Sequence, residues 1–596
     1  MDKLYADERS VLILIALLKE YNIKKVVASP GTTNLSFVAS LQSDPYFEIY
    51  SCVDERSAAY MAVGMAAEAR EPIVITCTGA TASRNYPSAL TEAFYRKLPI
   101  LAITGTQDTN KIGHLHSQVI DRSVLPNDVV KYSVHITAVR DDEDAYTNRI
   151  KINKALCELT RHGGGPVHIN YHTLYTRNFS VKKLPAIKSI QHFGYADVDI
   201  FPELPIGRIG IFIGSHNTFS PELTNAIDDF CATHDAVCFC DVTSGYYGKY
   251  RFNYSLLGSQ SQTEYTSINN LDLCIHLGEI SAEYASLGNL HRKEVWRVSP
   301  DGEIRDQFRK LTSVFEMDET DFFRFYTDET KDQPSLYLEE CKKLDVALRA
   351  KLPEIPFSNL WIARELHDKL PKNSTIHFGV LNSIRSWNLF QLSSDIHSFA
   401  NVGGFGIDGG VSSMLGASII APDKLFFGVF GDLAFFYDMN SIGNRHVGNN
   451  VRILVVNNGR GQEFRNHYHT GALFGDDADK YIAAAGHFGN QSHTLLKDYA
   501  ENLGFEYISA SSKNEFEQRY SRFVTPEHLS KPIVFECFTE TQDEANALKA
   551  YWNTGKDVKN VLFHRTIEAL GGRVAVRKML GARGVKFFRA LLNKEK

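Results

Sequence analysis

The most restrictive feature of this sequence is a repeated alternation, from Lys25 to Phe535, of short unbroken apolar runs with longer amphipathic stretches. An apolar run without polar alternation reads as a strand covered on both faces, and parallel strands of that kind need crossover helices between them. The chain is therefore predicted to be α/β, built from doubly wound parallel sheets. The runs fall into three series. The first holds Lys25–Ser29, Glu48–Tyr50, Pro72–Cys77, Pro99–Ile103 and Val167–Asn170. The second holds Ile209–Ile213, Val237–Cys240, Leu273–His276 and Val295–Val298, and the third Thr375–Phe378, Leu425–Phe430, Ile453–Val456 and Ile533–Phe535. A polar stretch at 180–205 reads as a linker, and a charged segment at 328–351 separates the last two series. Three domains also fit the length, since 596 residues at ~150 per domain give three or four.

Composition excludes several classes. With 43% hydrophobic and 22% charged residues the chain is neither disordered nor collagen-like. A net charge of −6 argues against nucleic acid as a partner for the whole surface. The nine cysteines are scattered, with no CxxC pair or Cys/His spacing for zinc, and read as buried reduced thiols of a cytoplasmic protein. Val11–Leu18 is shorter than the ~20 residues of a membrane span and follows acidic residues, unlike a signal peptide. One asymmetry remains. Residues 563–596 carry nine Lys or Arg against two acids, so a body of −13 ends in a tail of +7. There Val574, Met579, Phe587, Phe588 and Leu591 alternate with Arg573, Arg577, Lys586 and Arg589, as in a basic amphipathic helix peripheral to an anionic membrane or on an acidic partner. A helix docked on the acidic body and a mobile tail are the alternative readings, and Gly571, Gly572, Gly581 and Gly584 weaken a continuous helix.

Chemistry is expected at strand ends, where open parallel sheets bind ligands. In the third series Phe430 ends a run, Gly431-Asp432 follows, and 26 residues after Asp432 another run ends in Asn457-Asn458. A carboxylate and an amide oxygen at neighbouring strand ends suit Mg²⁺, and Gly431, Gly459 and Gly461 let backbone approach a diphosphate. Such Gly-Asp and Asn-Asn pairs also serve as plain strand terminators. In the first series Val53-Asp54-Glu55 leaves a strand and opens a helix, and Cys77-Thr78-Gly79-Ala80-Thr81 turns out of another. Gly210 and Gly214 complete no nucleotide-binding pattern, so the middle series reads as structural.

A strand-end glutamate in one α/β domain with Gly-Asp and Asn-Asn in another resembles the thiamine-diphosphate-dependent enzymes. More narrowly, the chain resembles the menaquinone-pathway synthases that make 2-succinyl-5-enolpyruvyl-6-hydroxy-3-cyclohexene-1-carboxylate. The segments that carry the resemblance are SPGTTN (29–34), DERSAAYMAVGMA (54–66), GPVHIN (165–170), FANVGGFGIDGGVSSMLGA (399–417), GDLAFFYDMN (431–440), LVVNNG (454–459) and FECFTETQDEAN (535–546). The resemblance implies a pyrimidine-binding domain at 1–180, a central structural domain at 195–345, a diphosphate-binding domain at 355–555 and a basic amphipathic tail at 560–596. It implies Glu55 as the carboxylate on N1′ of the cofactor's aminopyrimidine. Asp432, Asn458 and the Arg460 carbonyl are implied as Mg²⁺ ligands, with Gly431, Leu433 and Gly461 as further cofactor contacts. Ile407 resembles the apolar wedge under the cofactor, and reads equally as a core isoleucine. Gln118 resembles a glutamine over the cofactor. The implied activity is decarboxylation of a 2-oxo acid followed by acyl-anion addition to an acceptor, in a homodimer or homotetramer whose sites are shared between subunits. A simple 2-oxo acid decarboxylase, an acetolactate-type synthase and a non-catalytic scaffold are the alternatives.

The match breaks where substrate is read. The family's Ser-Arg after Pro-Gly is Thr32-Thr33 here, its Arg in Asn-Arg-Gly is Val402, and its apolar residue after the metal-binding Asn is Glu463, with Phe464 retained. Arg385 matches a substrate-side arginine. Losing two bidentate carboxylate readers costs on the order of several kcal/mol, so isochorismate is not the expected acceptor. Arg84, Arg460, His114, His116 and His467 are added near the same strand ends, as anion readers, pocket bases or plain surface residues. An acid that replaces an apolar lining residue needs a partner or a role, which makes Glu463 a candidate catalytic residue.

Overall fold

The computed structural model describes residues 4–122, 124–260, 266–282, 290–327 and 335–555, so the basic tail lies outside the described residues. Two compact units result, Met1–Pro202 with Glu294–Met317, and Glu203–Lys293 with Asp318–Lys596. Among the described residues the first and last series of strands each form a six-stranded sheet, the middle series forms parallel ladders within each unit, and every registered pair is parallel.

In the first unit the sheet comprises β1 (Lys25–Ala28), β2 (Glu48–Ser51), β3 (Ile73–Thr78), β4 (Ile100–Thr106), β5 (Tyr132–Ile136) and β6 (Val167–His172), in the order β2-β1-β3-β4-β6-β5. Successive side chains of a strand point to opposite faces, and each face here has its own core. Val26, Val74, Leu101, Ile103, Val167 and Ile169 pack with Val11, Leu14, Leu17 and Leu18 of the helix Arg9–Glu20. Val27, Ile73, Ile75, Ile100 and Ala102 pack on the other face with Ala58, Ala59, Ala62 and Val63 of the helix Glu55–Ala69. The run Val11–Leu18 is thus a buried layer helix, which is why it is apolar on every side.

The middle series contributes strands to both units. β7 (Gln191–Gly194), β12 (His291–Val298) and β13 (Leu311–Glu316) meet in the first, where β13 pairs with the other two. β8 (Ile209–Ile213), β9 (Val237–Cys240), β10 (Arg251–Asn253) and β11 (Asn270–Leu277) belong to the second, as the ladder β10-β9-β8-β11. The stretch at 180–205 is therefore not simply a linker: it carries β7 and a helical turn at Tyr195–Ile200.

The last sheet comprises β14 (Thr375–Phe378), β15 (His397–Ala400), β16 (Phe426–Gly431), β17 (Val451–Asn457), β18 (Glu506–Ala510) and β19 (Ile533–Phe538). Its order, β15-β14-β16-β17-β19-β18, repeats that of the first sheet strand for strand. Phe426, Val451, Ile453, Val455 and Val534 fill one face, and Phe427, Phe516, Phe523 and Phe535 the other, with Phe516 stacked on Phe535 at 5.3 Å.

Buried acid in this second unit gives the fold a pH dependence. Glu544 accepts hydrogen bonds from Thr539 Oγ1 and from the Asn359 backbone N–H, both at 2.8 Å. Burial pushes its carboxyl up to about 7, against these two bonds. A folded-state value above the unfolded one means the native state binds this proton more tightly. Its contribution is then fully present below the ordinary carboxylate range and declines as pH rises to about 7. Glu544→Gln keeps shape and acceptor, and is expected to stabilise the protein by up to about 3 kcal/mol at alkaline pH and by nothing in acid. Thermal scans of the pair across pH check this; a difference that does not vary with pH refutes it.

Candidate functional site

The C-terminal ends of β16 and β17 lie side by side, with Gly431 in register with Val456. Asp432 opens the helix Asp432–Tyr437 directly after β16 and is 5% exposed. Burial pushes its carboxyl up to about 7, while the backbone amides of Leu433 and Gly459 hold it down. Gly459 belongs to the loop after β17, so donors from both strand ends converge on this one carboxyl. Glu536 on β19 adds repulsion.

The two asparagines after β17 differ sharply. Asn457 is consumed by structure: its Nδ2 donates to Glu536 Oε1 at 2.7 Å and its Oδ1 accepts the Gly459 N–H at 3.1 Å. Asn458 Oδ1 is buried and has no hydrogen-bond partner among the described residues. A buried oxygen left unbonded costs stability unless something else satisfies it. Gly459 is required here, since its φ is +75° and a Cβ would stand 2.5 Å from Asn490 Nδ2. The Arg460 guanidinium turns to Asp479 at 2.7 Å, and Gly461 N–H donates to the Ala483 carbonyl at 2.6 Å. Among the described residues no cluster of three His, Cys, Asp or Glu could hold a metal.

Beside these strand ends lies a polar knot. Arg385, on the helix Asn382–Asn388 that follows β14, pairs with Glu463 at 2.5 Å, both side chains being largely buried. Tyr468 Oη donates to both Glu463 oxygens, at 3.1 and 3.0 Å, and also meets Arg385. Asn466 Nδ2 reaches Glu463 at 3.3 Å and Asn382 at 2.8 Å. The Tyr468 ring lies 5.4 Å from the Arg385 guanidinium and 4.8 Å from the Trp552 ring. Phe464 is half-buried beside it and packs edge-on against His469, while His467 binds Asn546 at 3.0 Å. Ile407 is half-buried in the loop after β15, and Val402 in the same loop is buried.

In the first unit, Glu55 stands at the start of its helix behind β2, half-buried, with Oε2 accepting from Asn85 Nδ2 at 3.1 Å. The cap of that helix is Asp54, which accepts the Ser57 N–H at 2.7 Å. Gln118, His114 and His116 are exposed on the segment after β4, and Gln118 has a φ of +63°. Arg84 is exposed and donates to the Asp121 carbonyl at 2.7 Å. Thr33, standing where the resemblance places an arginine, is buried and bonds Thr78 Oγ1 at 2.6 Å and the Gly105 carbonyl at 2.7 Å. Its hydroxyl is a structural bolt between β3 and β4. Sequence reasoning missed Tyr468, Asn466 and a buried arginine, Arg122; nothing in their local sequence marks them.

Two like sheets, each with polar groups at its strand ends, define an α/β enzyme whose chemistry sits on strand-end loops. Over residues 11–125 the chain matches the family described as thiamine pyrophosphate enzyme, N-terminal TPP binding domain. Over nearly its whole length it is similar to curated proteins named 2-succinyl-5-enolpyruvyl-6-hydroxy-3-cyclohexene-1-carboxylate synthase. That of Bacteroides fragilis is 30% identical over 576 residues, covering 93% of this chain and 100% of the relative. That of Bacteroides thetaiotaomicron is 31% identical over 571 residues (92% and 99%), and that of Porphyromonas gingivalis 25% over 595 (93% and 98%). The chain belongs to this family of thiamine-diphosphate-dependent enzymes, which act on carbon–carbon bonds.

Proposed function

We propose that this protein is a thiamine-diphosphate- and Mg²⁺-dependent carboligase that decarboxylates a 2-oxo acid and adds its acyl carbon to an acceptor other than isochorismate. The observation that carries the cofactor half is the unsatisfied Asn458 Oδ1 beside the buried Asp432 carboxyl. One carboxylate, one amide oxygen and the Arg460 carbonyl are hard donors that fit Mg²⁺, which keeps its remaining positions for phosphate oxygens and water. Gly431, Leu433 and Gly461 would line the diphosphate, and Ile407 would support the cofactor's bend. Thiamine diphosphate, when bound, supplies the electron sink that permits decarboxylation. Glu55 would hold the proton at N1′ of its pyrimidine, and Gln118 would face it.

The acceptor half rests on Arg385. Its fork is occupied by Glu463, an internal carboxylate, so a substrate carboxylate would have to displace a short, largely buried ion pair. Glu463 thus serves here to neutralise Arg385, with Tyr468 fixing both. Glu463→Leu is expected to raise kcat/KM for carboxylate-bearing acceptors at least tenfold; an unchanged value argues against this role. Product analysis with pyruvate or 2-oxoglutarate, with and without candidate acceptors, tests the reaction class. Aldehyde and CO₂ alone would favour the simple decarboxylase, and no cofactor binding in the presence of Mg²⁺ would leave only the scaffold.

A homodimer or homotetramer agrees with the face that the helix Glu55–Ala69 leaves open. Val53, Tyr60 and Met61 are exposed there, and Gly64 has no atom within 4 Å of where a Cβ would stand. Sedimentation measures the state directly. Among the described residues no helix is long and apolar enough to cross a membrane, and a cytoplasmic enzyme is the reading the scattered free cysteines support.

A further inference from the structure

Arg122, on the segment after β4, is 7% exposed, and no acid among the described residues pairs with it. Its guanidinium donates to two neutral acceptors, Thr104 Oγ1 at 2.9 Å and Asn170 Oδ1 at 2.6 Å. These stand opposite each other in the β4–β6 register. Among the described residues Nε finds no acceptor and no carboxylate stands within ion-pair distance. A guanidinium carries five N–H donors in a planar fork, and here Nη1 and Nη2 are each engaged while Nε is not, among the described residues.

The two histidines beside it add no negative charge. His168 Nε2 meets Thr104 Oγ1 at 2.8 Å, and His135 Nδ1 accepts from Asn170 Nδ2 at 3.1 Å. Burial holds His168 at about 3 and His135 at about 4, so both are neutral at physiological pH. Arg122, lowered to about 10 by burial and then by Arg84, remains charged. The guanidinium packs against the turn that leaves β3: a Cβ on Gly79 would stand 2.4 Å from its Nη2. That turn is a strand end of the kind where open sheets take ligands. Glu55 and Arg122 both act on the buried Cys77 thiol, so the cation lies in the neighbourhood of the glutamate.

Buried charges in folded proteins are compensated, and a planar cation with unused N–H groups is complementary to a planar carboxylate. We propose that Arg122 anchors a carboxylate-binding subsite in the first unit, whose ligand is the carboxylate of a small 2-oxo acid. The 2-oxo acid rests on the function proposed above; the carboxylate rests on Arg122 alone. The subsite replaces, from a different strand end, the cation that Thr33 does not supply.

Isothermal titration of pyruvate, 2-oxoglutarate and inorganic phosphate into the full chain, with and without thiamine diphosphate and Mg²⁺, tests it. Pyruvate or 2-oxoglutarate is expected to bind more tightly than phosphate, and Arg122→Gln to weaken that binding at least tenfold. Arg122→Lys, which keeps charge but loses the fork, is expected to fall between them, and it answers the question should Arg122→Gln not fold. Equal affinity in wild type and either variant overturns the proposal, as does phosphate binding at least as tightly as the 2-oxo acids or no carboxylate binding at all. Arg122-dependent binding in a protein that takes no thiamine diphosphate would sink the enzymatic reading and leave the subsite standing. A cofactor-binding protein indifferent to Arg122 would do the reverse.

Discussion

Glu55→Gln is expected to slow deuterium exchange at C2 of bound thiamine diphosphate by ~10²–10⁴-fold, the usual worth of a positioned acid–base group, while the protein stays folded. The separation of the two effects follows from the helix start. Asp54, not Glu55, caps the helix through Ser57 N–H, so its hydrogen bonding survives the change. The side-chain bond that Glu55 accepts from Asn85 Nδ2, at 3.1 Å, can equally be accepted by a glutamine carbonyl. What is lost is a negative charge near a helix N-terminus, worth about 0.3–1 kcal/mol of stability. An amide cannot hold the N1′ proton as a carboxylate does. Exchange measured by NMR on the loaded protein, with thermal scans beside it, reads the two effects separately. Unchanged exchange in a variant that still binds cofactor would remove Glu55 from its proposed role.

Much of the fold was legible because central strands are buried on both faces and so read as unbroken apolar runs. The strands that sequence reading missed show the limit of that signal. β5, β7, β10, β15 and β18 all lie at sheet edges, and all but β10 carry polar residues on a partly open face. β10 is too short to form a run, at three residues. Only β13, between β12 and β7, was missed inside a sheet, and its LTSVFE alternates. The site divides in the same way. Asp432 and Asn458 were visible because a strand end is a local feature of sequence. The Arg385–Glu463 pair spans 78 residues and Arg122–Asn170 spans 48, so neither partner could be assigned before the sheets were assembled. Charge alone did not separate Arg122, which is buried, from Arg84, which is exposed.

Asp432→Asn is expected to move stability and cofactor binding in opposite directions. In the cofactor-free protein the Asp432 carboxyl sits in a site that raises it to about 7, chiefly by burial and with Glu536 adding repulsion. At neutral pH and above, its charge is therefore a cost to folding, opposed only in part by the Leu433 and Gly459 amides. Asparagine has the same shape, offers an acceptor to those amides and carries no charge, so the unloaded variant should melt higher above neutral pH, and its advantage should vanish in acid. The same change removes the one carboxylate from the proposed Mg²⁺ donor set. Magnesium binds amide oxygens less tightly than carboxylate oxygens, and the affinity for Mg²⁺ and thiamine diphosphate together should fall by two orders of magnitude or more. Titration calorimetry and thermal scans, run with and without the cofactor pair, read both arms. A variant that loses stability when unloaded would mean that Asp432 serves the fold rather than the ligand. One that binds the cofactor pair as wild type does would remove Asp432 from the metal site. Raised stability together with lost binding is the signature of a residue kept in a costly position because a ligand needs it there.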